Sequence, residues 1–236
     1  MPLSTSTLKD IRNGVIGGVV MLAILLPLAS HFKAPKAAAD HGPAATSAPL
    51  PRPDFGQVLP TDDAHDLVEW IARTRDNAGM PFVVVDKRVA RLHVFGTDAR
   101  LRDSTPVLLG SAPGDDSVPG IGDRPVEQVR PHERTTPAGR FVGQFGHTLT
   151  GEDVVWVDYD AAVSMHRVRP TLQPRERRAE RLASETIDDN RISYGCINVP
   201  AAFYDAHIQP VFSRMPAIVY VLPEHKTVEE VFGLKA

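Results

Sequence analysis

Arg191-Ile192-Ser193-Tyr194-Gly195-Cys196-Ile197-Asn198 carries the only cysteine among 236 residues. The chain begins like an exported protein, and exported cysteines normally pair as disulfides. A lone thiol outside the cytoplasm has no intramolecular partner and meets oxidants. Two readings follow: a small buried hydrophobe, or a nucleophile whose chemistry needs it free. The flanks favour the nucleophile. Gly195 permits a sharp turn or a close backbone approach, and Pro200 reads as the first residue of a helix through Ala201-Ala202-Phe203-Tyr204. A thiol just ahead of a helix N-terminus is held as thiolate by the helix dipole and its unpaired N–H groups.

Upstream of this stretch, β signals recur at close intervals. Pro81-Phe82-Val83-Val84-Val85-Asp86 reads as a strand, and Arg91-Leu92-His93-Val94-Phe95 as its alternating partner, closed by Gly96-Thr97-Asp98. Thr105 to Leu109 is expected to be a third strand. Phe141 to Phe145, Val154 to Tyr159 and Ala161 to His166 are further short ones, and Ile218 to Leu222 closes the set. Residues 111–139 are dense in Gly and Pro and read as a long irregular loop. Asp62-Asp63 is placed to cap a helix that buries Leu67, Trp70 and Ile71 and ends near Gly79. The expected fold is mainly β, a sandwich or barrel with few helices.

The N-terminus reads differently. Lys9 and Arg12 precede 16 uncharged residues, Gly14 to Ala29, slightly short of a clear membrane span. A basic segment before an apolar run fits a cleaved signal peptide or an uncleaved single-pass anchor. Ala37-Ala38-Ala39 lies too far along for an easy cleavage site, which favours an N-terminal apolar helix at residues 1–31 anchored in the inner membrane. Residues 32–60 are a Pro/Ala-rich linker with no apolar period. The remainder is exported to the cell envelope or periplasm: one domain at 61–224 and a C-terminal tail at 225–236. That leaves about 170 residues, enough for a real core. The formal net charge of −3 gives no reason to expect nucleic acid as a partner.

A thiol nucleophile needs a base, usually a histidine that the fold brings near. Of nine histidines, His31 and His41 lie in the flank and linker, His225 in the tail and His65 on a helix. His166 ends the strand Val163-Ser164-Met165-His166, where a side chain projects from a rigid edge. His147, also after a short apolar strand, is the rival. No paired His/Cys/Asp spacing suggests a metal, and no cofactor is implied.

With these residues in view, the chain resembles the L,D-transpeptidase catalytic domain, the YkuD family, over about residues 80–223. The resemblance rests on His166 followed by Ser193-Tyr194-Gly195-Cys196-Ile197-Asn198. It also rests on the hairpin Val83-Val84-Val85-Asp86 to Leu92-His93-Val94-Phe95, the turn Thr136-Pro137-Ala138-Gly139-Arg140-Phe141, and the last strand Ala217-Ile218-Val219-Tyr220-Val221. It implies modification of peptidoglycan stem peptides through a thioester on Cys196, with His166 as base and carbapenem-type β-lactams as inhibitors. It also implies that the Arg167 carbonyl orients the imidazole, where the family usually has a small residue. Backbone N–H groups at Gly195 and Cys196, with Ser193 in the motif, are expected to hold the oxyanion. Arg191, Tyr194 and Asn198 are candidate substrate contacts, Arg191 being as well suited to bracing the loop. Tyr194 stands where the family often has a histidine that is not its base.

Thirty residues separate His166 from Cys196, more than is usual in the family. The extra segment, Thr171 to Asn190, holds Arg175, Arg177, Arg178 and Arg181. It reads either as a solvated helical insertion laced by Glu/Arg pairs or as a basic lid that gathers substrate carboxylates. Water in place of an acceptor amine would make the same site an L,D-carboxypeptidase. A non-catalytic peptidoglycan-binding envelope protein is the alternative from another class.

Overall fold

The computed structural model describes residues 52–169 and 174–234. The expected membrane helix and most of the linker lie outside them. Among the described residues no helix is long and apolar enough to cross a membrane.

Ten strands form in chain order: β1 Phe82–Asp86, β2 Arg91–Phe95, β3 Leu101–Pro106, β4 Leu109–Gly110, β5 Gly139–His147, β6 Asp153–Asp158, β7 Val163–Arg167, β8 Arg191–Ser193, β9 Ile197–Val199 and β10 Ala217–Val221. Eight join one sheet in the order β3-β2-β1-β10-β5-β6-β7-β9, and β4 pairs with β8. β1 lies parallel to β10, and β7 parallel to β9. The segment after β3 bridges the two ends of the sheet. Val107 N–H donates to the Ala90 carbonyl at 2.9 Å, and Leu108 exchanges backbone bonds with Asn198 at 2.9 and 2.8 Å. The result is a nearly closed barrel, because closure satisfies edge strands that a sandwich leaves open.

β1 shows why the core has two parts. All five of its residues are buried, which happens only when both faces of a sheet are covered. Val83 and Val85 face the barrel interior with Leu92, Met165, Ile197 and Val219. That interior is plugged by the helix at residues 201–212, which contributes Tyr204, Ile208 and Phe212. Its middle turn, Tyr204–Ile208, is π-helical, just before Pro210, whose missing N–H breaks the regular ladder. Phe82 and Val84 face the other way, onto Leu67, Val68 and Ile71 of the helix Asp62–Thr74.

Several boundaries differ from the sequence reading. The cap of the first helix is Thr61, whose hydroxyl accepts from Ala64 N–H, while Asp62 and Asp63 occupy the first turn. That helix stops at Thr74, where Arg75 turns left-handed. The third strand begins at Leu101, four residues before the expected start, because it pairs along β2 through polar residues whose composition hides it. Phe55 and Val228 belong to the second core cluster, against which Phe232 packs. The folded part therefore reaches beyond 61–224 at both ends, and the expected tail contains the capped helix Val228–Phe232.

Candidate active site

Alternation along β7 turns Met165 into the core and Ser164 and His166 outward. Parallel pairing with β9 sets His166 beside Asn198 and Met165 beside Ile197. Cys196 precedes β9 by one residue, so its half-buried sulfur meets the outward face of β7. Its Sγ lies 3.6 Å from Ser164 Oγ and 3.8 Å from the Ala162 carbonyl. Ser164 was not singled out from sequence, although its two-residue spacing from His166 places both on one face.

His166 Nδ1 is 3.0 Å from the Arg167 carbonyl. A carbonyl only accepts, so Nδ1 carries the proton and Nε2 is the basic nitrogen. The Arg167 side chain is strapped away from the ring: Nη1 donates to Asp153 at 2.8 Å, Nε to Asp205 at 2.6 Å, and the guanidinium lies 4.2 Å over Tyr204. A large residue thus fits where a small one is usual in the resembled family. Burial disfavours charge on both members of the Cys–His pair. Their mutual hydrogen bonding and attraction, with the Ser164 N–H and hydroxyl on sulfur, outweigh it. The Cys196 thiol is left below its ordinary range and His166 above its own. The expected helix N-terminus plays a lesser part, since β9 separates Cys196 from the helix at 201–212 and moves it beyond the first turn where the dipole acts.

The turn that carries Cys196 is braced from within. Ser193 Oγ donates to the Cys196 carbonyl at 2.6 Å and accepts from Gly195 N–H at 3.1 Å. The Gly195 N–H expected to hold an oxyanion is therefore engaged by Ser193. Gly195 has φ +129°, and a Cβ there would sit 2.9 Å from the Thr135 carbonyl oxygen, so only glycine fits. Its own carbonyl accepts from Thr136 Oγ1 at 2.8 Å, and that hydroxyl accepts from Gly110 N–H at 2.9 Å. Behind it, fully buried Lys87 donates to the carbonyls of Thr136 and Gly114 and to Asp115. Neither Lys87 nor Asp115 was legible from sequence, because their partners lie tens of residues away.

Arg191, read from sequence as a substrate contact or equally as a brace, makes bracing contacts in the structure. Its guanidinium donates to Glu224 at 2.9 Å and to the Lys87 carbonyl at 2.8 Å, and it does not line the cleft. A cleft of about 360 Å³ does open over Cys196, His166, Ser193, Tyr194 and Asn198, with Arg178 and an Arg169–Glu152 ion pair in its wall. Tyr194 packs under the Arg134 guanidinium at 3.9 Å. His147 is exposed, stacks edge-on with Phe145 and is absent from the cleft lining. His65, Asp66 and Glu69 bring ligand-type atoms within 4.8 Å of one another on the first helix. All three are exposed, an arrangement common without an ion.

No protein-family model and no curated protein matches this sequence. Solved structures do resemble it. The L,D-transpeptidase from Xylanimonas cellulosilytica aligns at 17% identity over 60% of this chain and 60% of its own, with a TM-score of 0.37. The Enterococcus faecium L,D-transpeptidase aligns at 15% over 61% of this chain and 50% of its own, TM-score 0.32. The helical cell shape determining protein Pgp2 from Campylobacter jejuni aligns at 15% over 67% and 55%, TM-score 0.40. This chain spans about half to three fifths of the length of such structures.

Proposed function

We propose that this chain is a cysteine-dependent L,D-transpeptidase acting on peptidoglycan stem peptides, held at the inner membrane by residues 1–31. What supports the reading is that the lone thiol shares one cleft with a histidine whose Nδ1 is committed to the Arg167 carbonyl. His166 Nε2 takes the thiol proton, and Cys196 Sγ attacks the carbonyl between an L-centre and a D-residue. The oxyanion forms against the Cys196 N–H. Collapse breaks the C–N bond, His166 returns its proton to the departing amine, and a thioester remains. An acceptor amine then loses a proton to His166, forms the new amide and releases the thiol.

The test is incubation of the purified domain with a carbapenem, followed by mass spectrometry. One covalent adduct on Cys196 supports the reading. No adduct on a folded protein favours a non-catalytic peptidoglycan-binding domain. Product analysis with stem peptides then separates cross-linking from hydrolysis by the same site.

A further inference from the structure

The segment at 174–190 carries four arginines between the base and the nucleophile, and the structure sorts them. Arg175 is exposed. Arg177 is 71% exposed and pairs with Glu180. Arg181 donates to the carbonyls of Glu176 and Asp189 at 2.9 and 3.1 Å. Of the four, Arg178 alone lines the cleft, with its side chain 12% exposed.

Two contacts define Arg178. Its Nε donates to Glu176 Oε2 at 2.5 Å, and its Nη1 donates to Asn198 Oδ1. Arginine only donates, so the amide of fully buried Asn198 must turn its oxygen to Arg178. Its NH2 then faces His166 Nε2 at 3.1 Å. Nε2 can accept that bond only while the ring is neutral. Arg178 therefore works against an imidazolium in two ways, through Asn198 and through its own charge, which acts to lower the His166 pKa. The arginines of the cleft wall are all ion-paired, Arg178 with Glu176, Arg169 with Glu152, and Arg167 with Asp153 and Asp205, but of the three only Arg178 also reaches Asn198.

We propose that Arg178 is a specificity-determining residue, which receives a carboxylate of the bound peptide and relays its arrival to His166 through Asn198. Its planar fork suits a carboxylate, and the contacts to Glu176 and Asn198 use two of its five N–H donors. An incoming carboxylate offsets the positive charge beside His166, so the base strengthens as the substrate binds. The peptide's identity rests on the proposed function; the test does not need turnover.

In a Cys196→Ala background, an acidic stem tetrapeptide and the same peptide with its carboxylates amidated are titrated calorimetrically. The acidic form should bind about tenfold to a hundredfold more tightly. Arg178→Gln should abolish that preference, and Arg175→Gln should keep it. The His166 imidazole is followed by NMR in the same proteins. Arg178→Gln should raise its pKa, Arg178→Lys should leave it near its starting value, and acidic peptide should raise it only where residue 178 is cationic. An unchanged preference in Arg178→Gln, an unmoved His166, or binding of neither peptide overturns the inference. Retained turnover by the Cys196→Ala enzyme instead overturns the transpeptidase reading and leaves the binding result standing.

Discussion

Thr136→Val is the sharpest test of how the turn bearing Cys196 is held. The substitution keeps the side chain's shape and removes a hydroxyl that is 1% exposed. It severs two bonds at once, from Gly110 N–H at 2.9 Å and to the Gly195 carbonyl at 2.8 Å. Each buried backbone group left without a partner costs about 1–3 kcal/mol. Both lie in a wall packed by Thr135 and Gly110, where a Cβ on Gly110 would sit 2.3 Å from the Arg134 carbonyl oxygen, so water has little room to replace the hydroxyl. Destabilisation of about 3 kcal/mol is expected in urea, with an unchanged m value. Freed of its anchor, the Gly195 carbonyl lets the neighbouring sulfur drift. A shift of about 1 Å costs on the order of a hundredfold in rate. Carbapenem acylation should slow accordingly, while Thr136→Ser, which keeps the hydroxyl, should stay within a few-fold of wild type. Refutation would be Thr136→Val matching wild type in both urea midpoint and acylation rate, or the serine variant failing as badly as the valine one.

Cys196→Ser should abolish the carbapenem adduct and leave the melting temperature nearly unchanged; an adduct on the serine variant would remove the thiol from the mechanism. His166→Ala should slow iodoacetamide alkylation of Cys196 near pH 7, whereas His147→Ala should not, as measured by mass spectrometry. Because the thiol is lowered and His166 raised, wild-type alkylation should persist below the usual thiol range and fade as pH drops through the lowered value. His166→Ala should move that acid limb upward, and coincident profiles would contradict the pairing. Burial would raise Asp115, but the N–H groups of Lys226 and Glu224, the Lys87 ammonium and the His225 N–H hold it well below the usual carboxylate range. A depressed folded value means the unfolded chain binds the extra proton, so this stabilisation is intact above about pH 4 and fades below it. Asp115→Asn should lower stability at pH 7 by about 3 kcal/mol, because buried Lys87 loses its nearer charged partner and keeps only Glu224 at 3.5 Å, and should flatten the acid limb of an unfolding curve. Equal acid sensitivity in both proteins would rule this out.

What the sequence determined by itself was local or patterned. The all-buried run Phe82–Asp86, the alternation of Arg91–Phe95 and the Gly/Pro density of 111–139 were readable because each encodes its environment in adjacent residues. Cys196 and His166 stood out for the same kind of reason, one by solitude and one by its place at a strand end. Strands β8 and β9, three residues each, were invisible, since such short strands exist only by pairing with β4 and β7. Which arginine meets the cleft was equally hidden: Arg175, Arg177, Arg178 and Arg181 share one composition, and only the path of the chain brings Arg178 to Asn198. For Arg191 the sequence left contact and brace equally open, and its bond to Glu224, far along the chain, appears only in the fold. The buried anchor of Lys87 on Thr136 and Asp115 belongs to this second kind. Hydrophobic period is a property of neighbours in sequence, whereas satisfying a buried charge or hydroxyl depends on groups that only folding brings within about 3 Å.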